Sequence, residues 1–430
     1  MDVHNATLPA FATEIWLEII HILLQDHAVS DPDPVSSSHQ PHIALQIWYN
    51  SKRLISLGKQ QVTLRSVCKR WKDIVDTTLY QYLRPSNLID NPVDSDAFQR
   101  AHRLQLGYPD SVCSCQDGCC CDGYAYWCFG GSRDPKSTRL LADSMSSIDR
   151  LQAKILILPR SEWNALMEKP LESVKELLGE IRSLVIEASD SIPKEIDTVC
   201  PNLTLLALHA TKGLRIDIST EPATFPNLST LQIVARGNEC LQRIGRWNMP
   251  SLKYLELTIH EYFGEISLVN FLEKVGKGLV SFQIGDNTQY ITLFPGIWNA
   301  LPDVRYFGTS MFSGDMPPKP PPDHPLRTIS NRESPRYNSW RHELIALVDT
   351  WTRIECISDT HSWEDMEQQI LELERSEARI PGHYCDNDHS VCHDCIDDAI
   401  ILCERRNVRY EDGFGRTWAE YKQVARNEEV

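Results

Sequence analysis

Two cysteine clusters carry the residues best suited to hold a metal ion. HYCDNDHSVCHDCIDDAIILC, at residues 383–403, places Cys385, His389, Cys392 and Cys395 within eleven residues. Thiolate and imidazole are the ligands of structural zinc, which usually takes four of them as two knuckles with a longer gap between. Cys392-His393-Asp394-Cys395 forms a CxxC, but the four together are packed more tightly than in most zinc folds. A structural zinc on these four is the metal reading the spacing allows, and no other cofactor is expected. CSCQDGCCCDGYAYWC, at 113–128, holds six cysteines in a loop containing Gly and Asp. Its pairs (Cys113 with Cys115, Cys115 with Cys119) fit the knuckle pattern poorly, so a redox-sensitive or incidental loop is the stronger reading there. Neither cluster supplies a nucleophile with an oriented base: His393 adjoins Cys392 in sequence, which says nothing of pairing in space. No catalytic residues are expected, and the chain does not read as an enzyme.

The bulk properties narrow the partners. With 430 residues, 42% apolar and 24% charged, the chain reads as an ordinary globular protein of two or three domains or one elongated array. A net charge of -16 opposes nucleic acid as the main partner, because a phosphate-binding surface needs the opposite field. No apolar run reaches 18 residues, so no membrane span is expected. MDVHNATLPAFATEIW lacks the basic and apolar blocks of a secretory signal. The expected location is intracellular, cytoplasmic and/or nuclear, where cysteines are core residues, ligands or thiols more often than disulfides.

The elements that position any site follow a repeat. Apolar triplets at first, fourth and sixth places recur as Ile181/Leu184/Ile186, Leu203/Leu206/Leu208, Leu228/Leu231/Ile233, Leu252/Leu255/Leu257, Leu279/Phe282/Ile284 and Val304/Phe307/Thr309. Their spacings are 22, 25, 24, 27 and 25 residues. Looser copies stand at Ala153/Leu156/Leu158, Leu326/Ile329 and Trp351/Ile354/Cys356. Pro201, Pro226, Pro250 and Pro302 each lie two residues ahead of a first position, where a residue without an amide hydrogen can precede a strand. Alternation within the triplet marks a short strand with one buried face. KEIDTVC and SLVNFLEKVGKG read as helices between strands. The pattern resembles leucine-rich repeats, which stack strand, turn and helix into a solenoid. Only Asn287 occupies the eighth-position asparagine of that pattern, so the turn ladder is irregular. Residues between the triplet positions are expected on a concave face: Val185, Glu187, Ala207, His209, Gln232, Val234, Glu256, Thr258, Gln283 and Asp286. This mixed, moderately polar row suits recognition of a protein target.

Upstream, Thr13 is a fair N-cap for TEIWLEIIHILLQ, a helix with one narrow polar stripe of Glu14, Glu18, His21 and Gln25. Such a helix needs burial on more than one side. TLRSVCKRWKDIVDTTLYQYL, at 63–83, carries a stripe through Leu64, Val67, Cys68, Trp71, Ile74, Val75, Thr78, Leu79 and Tyr82. Together, LPAFATEIWLEIIHILL and VCKRW with Leu79-Tyr80 resemble the F-box. That resemblance implies docking on a Skp-family adaptor of a cullin-RING ubiquitin ligase through Leu8, Pro9, Ile15, Trp16, Ile19, Ile20, Leu23, Leu64, Val67, Trp71, Ile74, Leu79 and Tyr80. Two departures stand out: Leu8-Pro9 lies three residues too far from Glu14-Ile15, and Asp26–Gln60 replaces the family's short link. The start of that insertion, DHAVSDPDPVSSSHQP, reads as a loop, and HIALQIWYNSKRLISLGKQQ as an added helix.

The chain is thus expected to be α/β, a short N-terminal helical F-box-like unit followed by an irregular leucine-rich-repeat solenoid. The expected divisions are a helical unit at 1–90, a Cys-rich insert at 91–150, the solenoid at 151–360 and a C-terminal helical cap with the Cys/His cluster at 361–430. GDMPPKPPPDHP, at 314–325, reads as an extended loop. SWEDMEQQILELERSEARI reads as a charged capping helix, with Met366, Ile370, Leu371 and Leu373 on its apolar side. The expected role is a substrate receptor that binds an unknown protein target without nucleic acid or membrane. The second expectation is a repeat scaffold with no ligase role.

Overall fold

The computed structural model describes residues 13–24, 31–38, 44, 60, 63–78, 82–83, 101–105, 151–158, 160–188, 195–210, 222–235, 238–259, 265–286, 296–309, 318–331, 348, 350–359, 363–364, 366–368 and 393–428. Among them, twelve strands form one open sheet in strict chain order. These are β1 (Tyr82–Leu83), β2 (Arg103–Gln105), β3 (Ile155–Leu158), β4 (Ser183–Ala188), β5 (Leu205–Ala210), β6 (Thr230–Ala235), β7 (Tyr254–Ile259), β8 (Ser281–Asp286), β9 (Tyr306–Thr309), β10 (Thr328–Asn331), β11 (Cys356–Asp359) and β12 (Arg409–Glu411). Every pairing is parallel. A parallel neighbour requires a crossover between strands. The described helices that serve here are α4 (Arg160–Met167), α5 (Leu171–Leu178), α6 (Ile196–Val199), α7 (Asn238–Ile244), α8 (Glu265–Val275) and α9 (Ile297–Ala300). Ahead of them lie α1 (Thr13–Leu24), α2 (Pro34–Ser37) and α3 (Lys69–Thr78), and after them α10 (His393–Arg405) and α11 (Trp418–Glu428). The result is an α/β solenoid with an open parallel sheet.

One ladder explains the stacking. Leu104, Leu156, Leu184, Leu206, Leu231, Leu255, Phe282, Phe307, Ile329, Ile357 and Tyr410 pair in register from β2 to β12. All are buried and belong to one core with the crossover residues Trp163, Leu177, Leu241 and Phe271. A single repeat cannot bury its apolar face, so each strand is stabilised by its neighbours. The six sequence triplets all lie in this buried set. One looser copy is off by three residues: Thr328 pairs with Cys356 and Ile329 with Ile357, so Ile354 and Ile357 take the first two core places, not Trp351 and Ile354. The solenoid also exceeds its expected span of 151–360, since β1, β2 and β12 extend the same sheet on both sides. Their strands are only two or three residues long, too short for a triplet to show.

The repeated prolines occupy a tight turn before each strand. Leu203, Leu228, Leu252 and Val304 donate their amides to the carbonyls of Cys200, Phe225, Met249 and Leu301, closing four-residue turns with proline second. Proline's fixed φ suits that place. The third turn residue then bonds to the turn of the preceding repeat. Asn202 Nδ2 donates to Gly179 O at 2.8 Å, Ser251 Oγ to Pro226 O at 2.6 Å, and Asp303 Oδ2 accepts from Gly278 N at 3.0 Å. This polar ladder precedes the strands, whereas the leucine-rich-repeat pattern has its asparagine ladder after them.

The second half of the proline-rich loop is fastened to the core. Trp298 Nε1 donates to Pro318 O at 2.6 Å, and the Trp298 ring lies edge-on to His324, Phe307 and Trp351. His324 Nδ1 accepts from Leu326 N at 3.3 Å, which leaves Nε2–H to donate to Leu301 O at 2.9 Å. The ring is therefore neutral, and burial lowers its pKa below 6.5. A histidine whose folded pKa is depressed contributes stability above the unfolded pKa and loses it as pH falls through the folded one. Thermal stability should thus fall as pH drops below about 6.5, and His324→Gln should show a shallower decline over that window in calorimetry.

The N-terminal pair of helices has its own small core. Ile20, Ile74 and Val75 are buried, with Trp16, Leu17, Leu64 and Trp71 packed around them. The Trp16 and Trp71 rings lie 5.1 Å apart at 55°. The helix expected over 63–83 is interrupted: residues 63–67 are helical, Cys68 breaks the run, and α3 ends at Thr78. Tyr82 begins β1 and pairs with Arg103, so it leaves the helical stripe for the sheet.

Candidate functional site on the front face and the N-terminal helices

The face of the sheet opposite the core is the one expected to be concave. Its central row runs in register as Gln105, Ile157, Val185, Ala207, Gln232, Glu256, Gln283, Gly308, Ser330, Ser358 and Glu411. The row changes character along its length. Ile155, Ile157, Val185, Leu205 and Ala207 make a second apolar cluster over β3–β5. From β6 onward the row is polar. Parity also places the expected residues. Val185, Gln232, Glu256, Thr258 and Gln283 stand on this face and are buried, where the sequence suggested a row open to a target. Glu187, His209 and Val234 share a neighbouring row with Thr258. Asp286 is a correction: it pairs with Ile259, in step with Phe282 and Ile284, and so takes the other parity. Gly285 holds the place expected for it, opposite Thr258.

A segment of the insertion lies across the ends of these strands. Asp33 caps α2, accepting from Ser36 N at 3.3 Å, with Pro34 opening the helix. The Asp-Pro pair is the signal for this turn, which reading the stretch as a loop missed. Ser183 Oγ of β4 donates to Pro32 O, and Ser229 Oγ, just before β6, donates to Asp33 Oδ2 at 2.9 Å. Ser36 Oγ donates to Ser229 Oγ at 3.3 Å. Pro34 and Val35 are buried. Burial raises the Asp33 carboxyl above its ordinary range, against the hydrogen bonds from Ser36 and Ser229. Asp33 in turn helps raise Tyr254 of β7, after burial, the larger cause.

On the N-terminal helices the expected adaptor residues divide. Ile20 and Ile74 are core, while Trp16, Ile19, Leu64 and Trp71 are half-buried. Ile15 and Val67 are each 46% exposed, the large apolar side chains this unit leaves to solvent among its described residues. Leu23 lies in α1. Leu8, Pro9, Leu79 and Tyr80 lie outside the described residues.

Cys385, His389 and Cys392 also lie outside them, as does the 113–128 cluster, while Cys395 falls within α10. Among the described residues, no group of three or more His, Cys, Asp or Glu could hold a metal ion. Burial pushes the Cys200, Cys240 and Cys356 thiols well up, and Cys403 to about 11. Thiols raised this far carry little thiolate at neutral pH. No described helix is long and apolar enough to cross a membrane.

The arrangement defines a class: an open α/β solenoid whose parallel sheet runs in chain order. The chain matches no protein family and no curated protein. Among solved structures it is similar to a Bacteroides fragilis protein, a structural-genomics target, at 13% identity and a TM-score of 0.30, over 56% of this chain and 68% of that one.

Proposed function

We propose that the chain is a substrate receptor of a cullin-RING ubiquitin ligase, an F-box protein with leucine-rich repeats. Its N-terminal helices dock on a Skp-family adaptor, and the front face of the sheet takes the target protein. The observation that carries the reading is the pairing of the two halves of the F-box-like motif: Trp16 from LPAFATEIWLEIIHILL packs on Trp71 from VCKRW across the long insertion. Ile15 and Val67 then remain as apolar contacts for a partner. Within this reading ubiquitin transfer occurs in the partner complex, and the chain supplies recognition alone. Co-elution of the full chain with a Skp-family adaptor tests it. A stable complex at micromolar concentration supports the receptor; its absence leaves a repeat scaffold.

A further inference from the structure

Between β9 and β10 the chain presents Pro318-Lys319-Pro320-Pro321-Pro322. The rings of Pro320 and Pro321 fix φ, and the proline that follows each holds ψ in the extended range. That combination is polyproline II backbone. Prolines offer no amide hydrogen, so the stretch cannot add to the sheet beside it. Lys319, Pro321 and Pro322 are exposed, while Pro318 and Pro320 are half-buried.

Both ends of the stretch are tied to the fold. Trp298 Nε1 donates to Pro318 O at 2.6 Å. His324 N donates to Pro321 O at 3.0 Å, closing a turn with Pro322 second. The His324 ring is held in turn by Leu301 O and Leu326 N. Between the two anchored carbonyls, those of Lys319 and Pro320 have no hydrogen-bond partner among the described residues. Polyproline II segments are recognised by grooves lined with aromatic rings. A segment already ordered loses less conformational freedom when it binds.

We propose that residues 318–322 are a preformed docking strand for a partner protein whose groove is lined with aromatic rings, bears indole or phenol donors and has an acidic rim. Pro321 and Pro322 pack on the rings. The Lys319 and Pro320 carbonyls accept the donors, and the Lys319 ammonium meets the rim. The strand belongs neither to the front face of the sheet nor to the N-terminal helices, so the proposal stands apart from the receptor reading.

The test uses the full chain against a panel of purified SH3 and WW domains, two classes with aromatic-lined grooves for proline ligands. Wild type should bind at least one domain with a Kd of about 100 μM or tighter by calorimetry. Pro321→Ala/Pro322→Ala should weaken that binding at least about tenfold, and Lys319→Glu should weaken it about threefold. Trp298→Phe keeps an aromatic ring but removes the donor to Pro318 O, and should also weaken binding. No binding by wild type to any domain, or equal affinity of wild type and the double-alanine variant, would overturn the proposal. Hydrogen exchange over β9 and β10 verifies folding. Lys319→Glu leaves every proline and both anchors in place, so it decides the matter if the double-alanine variant unfolds; unchanged affinity there would be the contrary result.

Discussion

Gly276→Ala will be among the most damaging single substitutions in the solenoid, costing about 3 kcal/mol. Gly276 follows α8 and lies against Ala300 at the end of α9. A Cβ there would lie 2.0 Å from Ala300 O and 2.6 Å from Leu272 O, both backbone atoms that cannot rotate aside. Relief would require α8 and α9 to separate, opening the core around Leu272 and Leu301. Gly278, two residues on, is a control. Its φ of +87° penalises a side chain, but nothing lies within 4 Å. Gly278→Ala should therefore cost only about 1–2 kcal/mol. Urea denaturation of both variants checks the order, and a larger loss at Gly278 would contradict the packing argument.

Trp363→Ala should cost about 4 kcal/mol and release the C-terminal cap. Trp363 is fully buried. Its ring lies edge-on to Tyr410 and Trp418, at 5.4 and 5.1 Å. Its Nε1 donates to Arg416 O at 2.7 Å, and its amide donates to Asp412 Oδ2 at 3.2 Å. Asp412 is itself buried and also accepts from Arg416 Nη2 at 2.7 Å, and Arg416 reaches on to Glu364. Removing the indole thus loosens a charged network as well as an aromatic cluster. Tyr410 belongs to β12, the last strand, whose far edge is a template for unwanted pairing once its cap loosens. Hydrogen exchange should accelerate in β11 and β12 while β4–β8 stay protected, and light scattering should show association. Uniform loss of protection along the sheet would instead mean that the cap and solenoid unfold as one unit.

The central repeats were legible because their core is periodic: one leucine-like residue per strand at a spacing near 25 residues cannot be produced by unrelated strands. The ends were not, because β1, β2 and β12 offer too few residues to show alternation. Trp351 misled the reading of β11. It is buried, like a first triplet residue, but it packs against Trp298 from the turn ahead of the strand. Val185, Gln232, Glu256, Thr258 and Gln283 share the strand parity opposite the core, and that parity follows from the core triplets. Asp286 failed because it lies one residue beyond the place where alternation puts the front face. Burial of the row was invisible in sequence. So were contacts such as Asp33 with Ser229, 196 residues apart. The helical stripe at 64–75 was legible in type but not in role. Val67 belongs to the stripe and is exposed, while Ile74 is core.

That division decides the most direct test of the account. Calorimetric titration of a Skp-family adaptor into wild type and into Ile15→Glu/Val67→Glu measures whether the exposed apolar residues of the N-terminal helices form the docking surface. The account predicts micromolar or tighter binding by wild type and at least about tenfold weaker binding by the variant, with circular dichroism unchanged because neither residue is core. No binding by wild type, or equal affinity in the folded variant, would contradict it.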